Sequence, residues 1–180
     1  MLFGLDFCIW PCYILKRQYL RFFLQSKLQP KVGGNIMTYN VLLVAEYIIS
    51  FCNKNNLTIS NLRLQKVLYF IQAEFLISRG HPCFPEEIEA WDFGPVVPEV
   101  YQKYKLYGGA TIPCNNYTES GLILEEDRKL IDSIIMECTK YTTSQLVEIT
   151  HNQTPWKQAH NPYGQRIITI SSIKEFFSSR

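Results

Sequence analysis

The side chains best equipped for chemistry in this 180-residue chain are three histidines, His81, His151 and His160, and six cysteines, Cys8, Cys12, Cys52, Cys83, Cys114 and Cys138. Imidazoles and thiolates bind zinc or attack carbonyl carbon only when spacing or folding gathers them with partners. No HExxH pair occurs, no two cysteines stand in CxxC spacing, and no GxSxG turn presents a serine. Gly33-Gly34, Gly94 and Gly108-Gly109 lack the spacing, and the Lys-Ser/Thr partner, of a loop that cradles phosphate. A Cys83–His151 nucleophile pair is left as something only folding in space can assemble. The chain therefore reads as having no catalytic residue, no metal site and no cofactor. Its scattered single thiols read as reduced side chains of a cytoplasmic protein without disulfides.

Recognition by surface burial asks for different residues, and Glu87 to Gly109 is dense in them. Ile88 and Ala90 alternate with Glu87, Glu89 and Trp91, the period of a strand with one covered face. Phe93-Gly94-Pro95 is expected to break that strand as a turn. Val97 precedes a proline and is pushed off helical angles, so a helix should open at Pro98, with Glu99 favoured at its positive end. Tyr101, Tyr104, Lys105 and Tyr107 ride on it, and Gly108-Gly109 end it.

Helices must hold that corner in place. Thr38 or Asn40 caps one with Val41, Val44, Ala45, Ile48 and Cys52 on a single face, stopping in the polar turn Asn53 to Asn56. Ser60 or Asn61 caps a longer one striped by Leu64, Val67, Leu68, Ile71 and Phe75 and ended by Gly80. The opposite side of this helix, with Arg63, Lys66, Gln72 and Glu74, is expected to face solvent. After a polar loop reaching Gly121, Glu125, Glu126 and Asp127 favour a helix start, with Leu130, Ile131, Ile134, Ile135 and Cys138 as its buried side. Thr142 with Gln145 has capping-box form, Thr154-Pro155 reads as a cap with a first-turn proline, and Ser172 with Glu175 as a second capping box. Ile167 to Ile170 reads as a short strand that pairs with Glu87 to Trp91. The expected fold is mainly α, a single compact domain with a minimal two-stranded sheet.

Charge narrows the partners. Residues 1–36 hold five of the 18 bases and one of the 16 acids, net +4, leaving 13 bases and 15 acids, net −2, in the other 144. Arg63, Lys66, Lys103, Lys105, Arg128 and Lys129 are interspersed with acids, whereas phosphate binding needs a clustered positive face, so no nucleic-acid partner is expected. Leu2 to Leu15 is apolar but interrupted by Asp6 and Pro11 and is shorter than the roughly 20 residues that span a bilayer. Lys16, Arg17 and Arg21 beside aromatics leave an interfacial hairpin as one reading. The reading preferred is an extension and linker over residues 1–36, upstream of a native start at Met37, with the domain over 37–180 and no membrane partner.

Three blocks, LRLQKVLYFIQAEFL (Leu62 to Leu76), EAWDFGPVVPEVYQKYKLYG (Glu89 to Gly108) and LVEITHNQTPWKQA (Leu146 to Ala159), resemble in order and spacing the Panacea domain, the SocA-like antitoxin family. The likeness runs from about Tyr39 to Phe177. It implies a mostly helical antitoxin that neutralises a toxin encoded beside it by direct binding, and that in at least one branch acts as an adaptor to a AAA+ protease. The family's motif positions fall on Lys66, Tyr69, Trp91, Gly94, Pro95, Val96, Tyr101, His151, Pro155 and Trp156, and all of these except Pro155 are taken as the candidate partner-binding set. Trp91 and Trp156 either anchor an interface or staple the domain's own core. Lys66 and Tyr69 meet either a polar partner or an internal acceptor. His151 either braces the Pro155 turn or reaches outward.

Overall fold

The computed structural model describes residues 38–114, 122–161 and 166–179. The expected extension, the Met37 start, Cys8, Cys12 and the loop positions Asn115, Asn116, Ser120 and Gly121 lie outside them. Seven α-helices are present among the described residues: α1 (Val41–Lys54), α2 (Asn61–Ser78), α3 (Pro98–Tyr104), α4 (Glu125–Cys138), α5 (Thr143–His151), α6 (Thr154–Ala159) and α7 (Ile170–Ser178). With them is an antiparallel sheet of β1 (Ile88–Trp91), β2 (Gly94–Val96) and β3 (Ile167–Ile168), ordered β2-β1-β3. The fold is mainly α, as expected.

The first two helices start where their caps stand. Asn40 accepts the Leu42 amide and Ser60 the Arg63 amide, each satisfying a donor that the first helical turn leaves open. Gly80, at φ +80°, lets the amides of Arg79 and Gly80 both reach the Phe75 carbonyl. Helix α2 is the centre of the domain, touching α1, α3, α4, α5, α7 and β2.

That position overturns the expectation of a solvated side. Lys66, Gln72 and Glu74 are buried together with the apolar stripe. Interior polar groups must find partners, and here they staple incoming chain to α2. Gln72 accepts the Cys83 and Phe84 amides and donates to the Phe84 carbonyl, while Gln65 accepts the Val97 amide at 2.8 Å. Arg63 donates to the Cys138 and Tyr141 carbonyls at 2.6 and 3.0 Å, fixing the exit of α4. Asp127 does more than favour the start of α4: buried, it accepts from Tyr39 at 2.6 Å and from Arg79 at 3.0 Å.

The sheet has three strands rather than two, because Gly94 and Pro95 continue it instead of ending it. The turn is Asp92-Phe93, and Trp91 faces Gly94, Ala90 faces Pro95 and Glu89 faces Val96. Pro95 is tolerated because the Ala90 amide points the other way, to the Arg166 carbonyl across β3, so the Ala90–Pro95 pair exchanges no ladder bond. β3 pairs with β1 as expected, through Ile88–Ile168 and Glu89–Ile167, but it ends at Ile168.

Three cap assignments come out differently or more fully than the sequence suggested. Thr142 and Gln145 form both bonds of the capping box. The α6 cap is Gln153 rather than Thr154, without a side-chain bond, because the Gln153 amide oxygen is committed to Tyr69. The α7 cap is Thr169, which accepts the Ser172 amide, so Ser172 lies inside the helix instead of starting it. No described helix is long and apolar enough to cross a membrane.

Candidate functional site

The β1–β2 hairpin lies against α2, α5 and α6 and meets side chains from all three. Gly94 decides how close it comes. Its φ is +98°, and a Cβ placed there would stand 2.7 Å from the Thr150 hydroxyl and 2.8 Å from Lys66 Nζ. Only hydrogen fits at that point. Beneath the strand, Lys66 is 0% exposed and donates to the Pro95 carbonyl at 2.8 Å. Burial holds its ammonium down to about 7, far below the usual lysine range. One turn further along α2, Tyr69 is equally buried and donates to Gln153 at 2.7 Å, tying α2 to the start of α6, while burial keeps its phenol protonated.

Aromatic rings close the outer side of the corner. The Trp156 indole is stacked between His151, with centroids 4.0 Å apart, and His160, 4.4 Å apart. Its Nε1 donates to the Trp91 carbonyl at 3.0 Å, which ties α6 to the hairpin. Trp91 in turn donates to Glu89 at 2.7 Å and meets Tyr101 edge to face at 4.8 Å. His160 Nε2 lies 3.2 Å from an Asp92 carboxylate oxygen. His151 carries a buried Nε2 without a hydrogen-bond partner. Its pKa is lowered, first by burial, then by the nearby Lys66 and His160 charges, with a backbone hydrogen bond at Asp92 opposing them. Removing the Lys66 charge with Lys66→Met should therefore raise the His151 pKa, read from its ring-proton chemical shifts across a pH titration; an unmoved midpoint would mean that the two groups are not coupled.

All nine candidate residues fall in or beside this corner, but they divide by depth. Lys66, Tyr69, Gly94, Pro95 and Val96 are interior, while Trp91, Tyr101, His151 and Trp156 are half-buried and reach the outside. The interior five shape the corner; they present no atoms beyond it in this conformation. Lys66 and Tyr69 both find internal acceptors. Sequence reasoning missed Gln65, Thr150, Gln153 and His160 as parts of the brace. For His160 a signal existed, since Trp156 and His160 are four apart, one helical turn. Gln65 and Gln153 act on distant backbone or side-chain atoms, which spacing does not reveal.

The Cys83–His151 pair does not assemble. Cys83 is fully buried, and its thiol is pushed well up by burial and by Asp127 and Glu86. The groups felt by His151 are instead Lys66, His160 and Asp92. Cys52, Cys83, Cys114 and Cys138 are free thiols. Among the described residues no three His, Cys, Asp or Glu side chains are grouped to hold a metal ion.

A family model described as antitoxin SocA-like, Panacea domain, matches residues 64–157, a span that runs from α2 into α6 and contains the corner except His160. The chain is also similar to the protein named antitoxin SocA of Caulobacter vibrioides (strain NA1000 / CB15N), at 30% identity over 149 residues, which cover 77% of this chain and 79% of that protein. No solved structure matches it significantly.

Proposed function

On the premise that this chain belongs to the SocA-like, Panacea-domain antitoxin family, we propose that it neutralises a cognate toxin by binding it directly in the cytoplasm, without catalysis or cofactor. The observation that carries this reading is the braced corner, in which Trp91, Tyr101 and Trp156 are held half-exposed on a backbone whose polar groups are already satisfied from within. Half-exposed aromatics on a rigid frame lose little conformational freedom when a partner covers them, and such residues dominate binding energy at interfaces. Neutralisation would then be occlusion: the toxin surface is covered, and no bond is made or broken.

Co-expression tests it. The product of the adjacent gene should arrest growth when expressed alone, co-purify with this chain, and lose its toxicity when the two are expressed together. A neighbour that is harmless alone, or toxic but neither bound nor rescued, would remove the reading. Toxin loss that also requires a AAA+ protease would add the adaptor role to the binding role.

A further inference from the structure

We propose that the tip of the β1–β2 hairpin, Phe93 with the Asp92 carboxylate beside it, is the specificity-determining contact with the toxin and seats in an apolar recess rimmed by positive charge. The inference rests on the toxin-binding reading. It adds which atoms select the partner and what chemistry that partner presents.

Phe93 is 68% exposed and the Asp92 side chain 81% exposed. The turn has no need of a phenyl ring. Among the described non-glycine residues, positive φ occurs at Asn56 and not at 92 or 93, and Gly94 supplies the left-handed position that closes the hairpin. Position 93 is thus open to small polar residues, which turns favour, yet it carries a large apolar ring in water.

The tip is also stiff. Lys66 holds the Pro95 carbonyl, Gln65 the Val97 amide and Trp156 the Trp91 carbonyl, while Gly94 is pressed against Thr150. The same bonds close the outer edge of β2 to strand addition: Pro95 has no amide hydrogen and its carbonyl is already taken. Contact at this end must therefore come from side chains. Of the corner positions that carry the family likeness, Lys66, Gly94, Pro95 and Val96 point inward. Asp92 and Phe93, between Trp91 and Gly94, are the exposed residues of the hairpin, standing beyond the half-buried Trp91.

Charge names the partner's chemistry. Residues 86–99 contain Glu86, Glu87, Glu89, Asp92 and Glu99 and no base. Glu86 accepts the Val41 amide and Glu89 the Trp91 indole; Glu87 and Glu99 face water, and Asp92 is exposed with one carboxylate oxygen 3.2 Å from His160 Nε2. On neighbouring elements, Lys66 is buried, Lys103 is paired with Glu46, and the basic group beside the tip is the His160 imidazole, 3.2 Å from Asp92. An apolar knob in a negative field is complementary to a recess lined by apolar groups and edged by Lys or Arg.

The test titrates the purified product of the adjacent toxin gene with the full-length chain and three surface variants, Phe93→Ala, Asp92→Lys and, as a control on α4, Met136→Ala. Phe93→Ala should weaken binding about 30-fold, the size of an interface hot spot. Asp92→Lys should slow association about tenfold at low salt and flatten its salt dependence. Met136→Ala should stay within about twofold of the parent, the behaviour of a residue outside the interface. Wild-type binding that neither tip variant disturbs would overturn the inference while leaving toxin binding intact. No wild-type binding would remove the reading and the inference together. A wild-type dimer that Phe93→Ala splits in light scattering would assign the tip to self-association and overturn it as well.

Discussion

Gly94→Ala is expected to destabilise the domain by about 3 kcal/mol, a large share of the roughly 5–15 kcal/mol that holds a domain of this kind together. Two effects combine at this position. A side chain at φ +98° is strained by about 1–2 kcal/mol. The added methyl group also has nowhere to go, since it would meet the Thr150 hydroxyl at 2.7 Å and Lys66 Nζ at 2.8 Å, an overpacking that costs about 1–3 kcal/mol. Neither neighbour yields easily: Thr150 is buried and bonded to the Val147 carbonyl, and Lys66 is buried and bonded to Pro95. Gly80→Ala separates the two effects, because Gly80 has φ +80° but no heavy atom within 4 Å of its would-be Cβ. Urea denaturation should show the Gly80 variant losing about 1 kcal/mol, the backbone effect alone, and the Gly94 variant clearly more. Equal losses would mean that the hairpin does not press on α2 and α5 as tightly as the geometry shows.

That these residues form one corner was legible in the sequence, but its construction was not. Apolar periodicity located α1, α2 and α4, and Pro98 and Val97 located the start of α3, because those signals act within a turn or two of chain. The residues that assemble the corner act across 29 to 84 positions of sequence: Lys66 on Pro95, Gln65 on Val97, Tyr69 on Gln153. A lysine on the polar side of a helix reads as solvated unless something covers it, and what covers Lys66 is a strand that the sequence presented as a turn. The two misreadings are therefore one. Once Gly94-Pro95 extends β1 into a hairpin, the strand closes over α2, and Lys66 becomes the donor that satisfies a carbonyl Pro95 would otherwise leave bare. The split of the candidate set into inner and outer residues follows from the same closure.

Lys66→Met should change how stability depends on pH more than it changes stability at any one pH. An unfolded lysine releases its proton near 10.5, whereas burial brings Lys66 to about 7. Between those values the unfolded chain binds a proton that the folded chain does not, so stability rises with pH, by up to about 1.4 kcal/mol per unit. Below pH 7 both states are protonated, and the full penalty of burying the charge is present. The buried thiols act in the opposite sense above pH 9, their ordinary value: burial raises Cys52 to about 11 and Cys138 to about 12, so the unfolded chain releases protons that the folded chain keeps, and stability falls. The wild-type profile should therefore climb from pH 7, crest near pH 9 and decline. Methionine fills nearly the same volume without a charge but leaves the Pro95 carbonyl unpaired, at about 1–3 kcal/mol. The variant should match or exceed the wild type at pH 6 to 7 and fall behind it by about 3 kcal/mol relative to that starting point at pH 9. Urea denaturation at pH 6, 7, 8 and 9 measures both profiles. Parallel curves would show that Lys66 keeps its charge in the folded state, and that the strut beneath the hairpin is an ammonium rather than a neutral amine at alkaline pH.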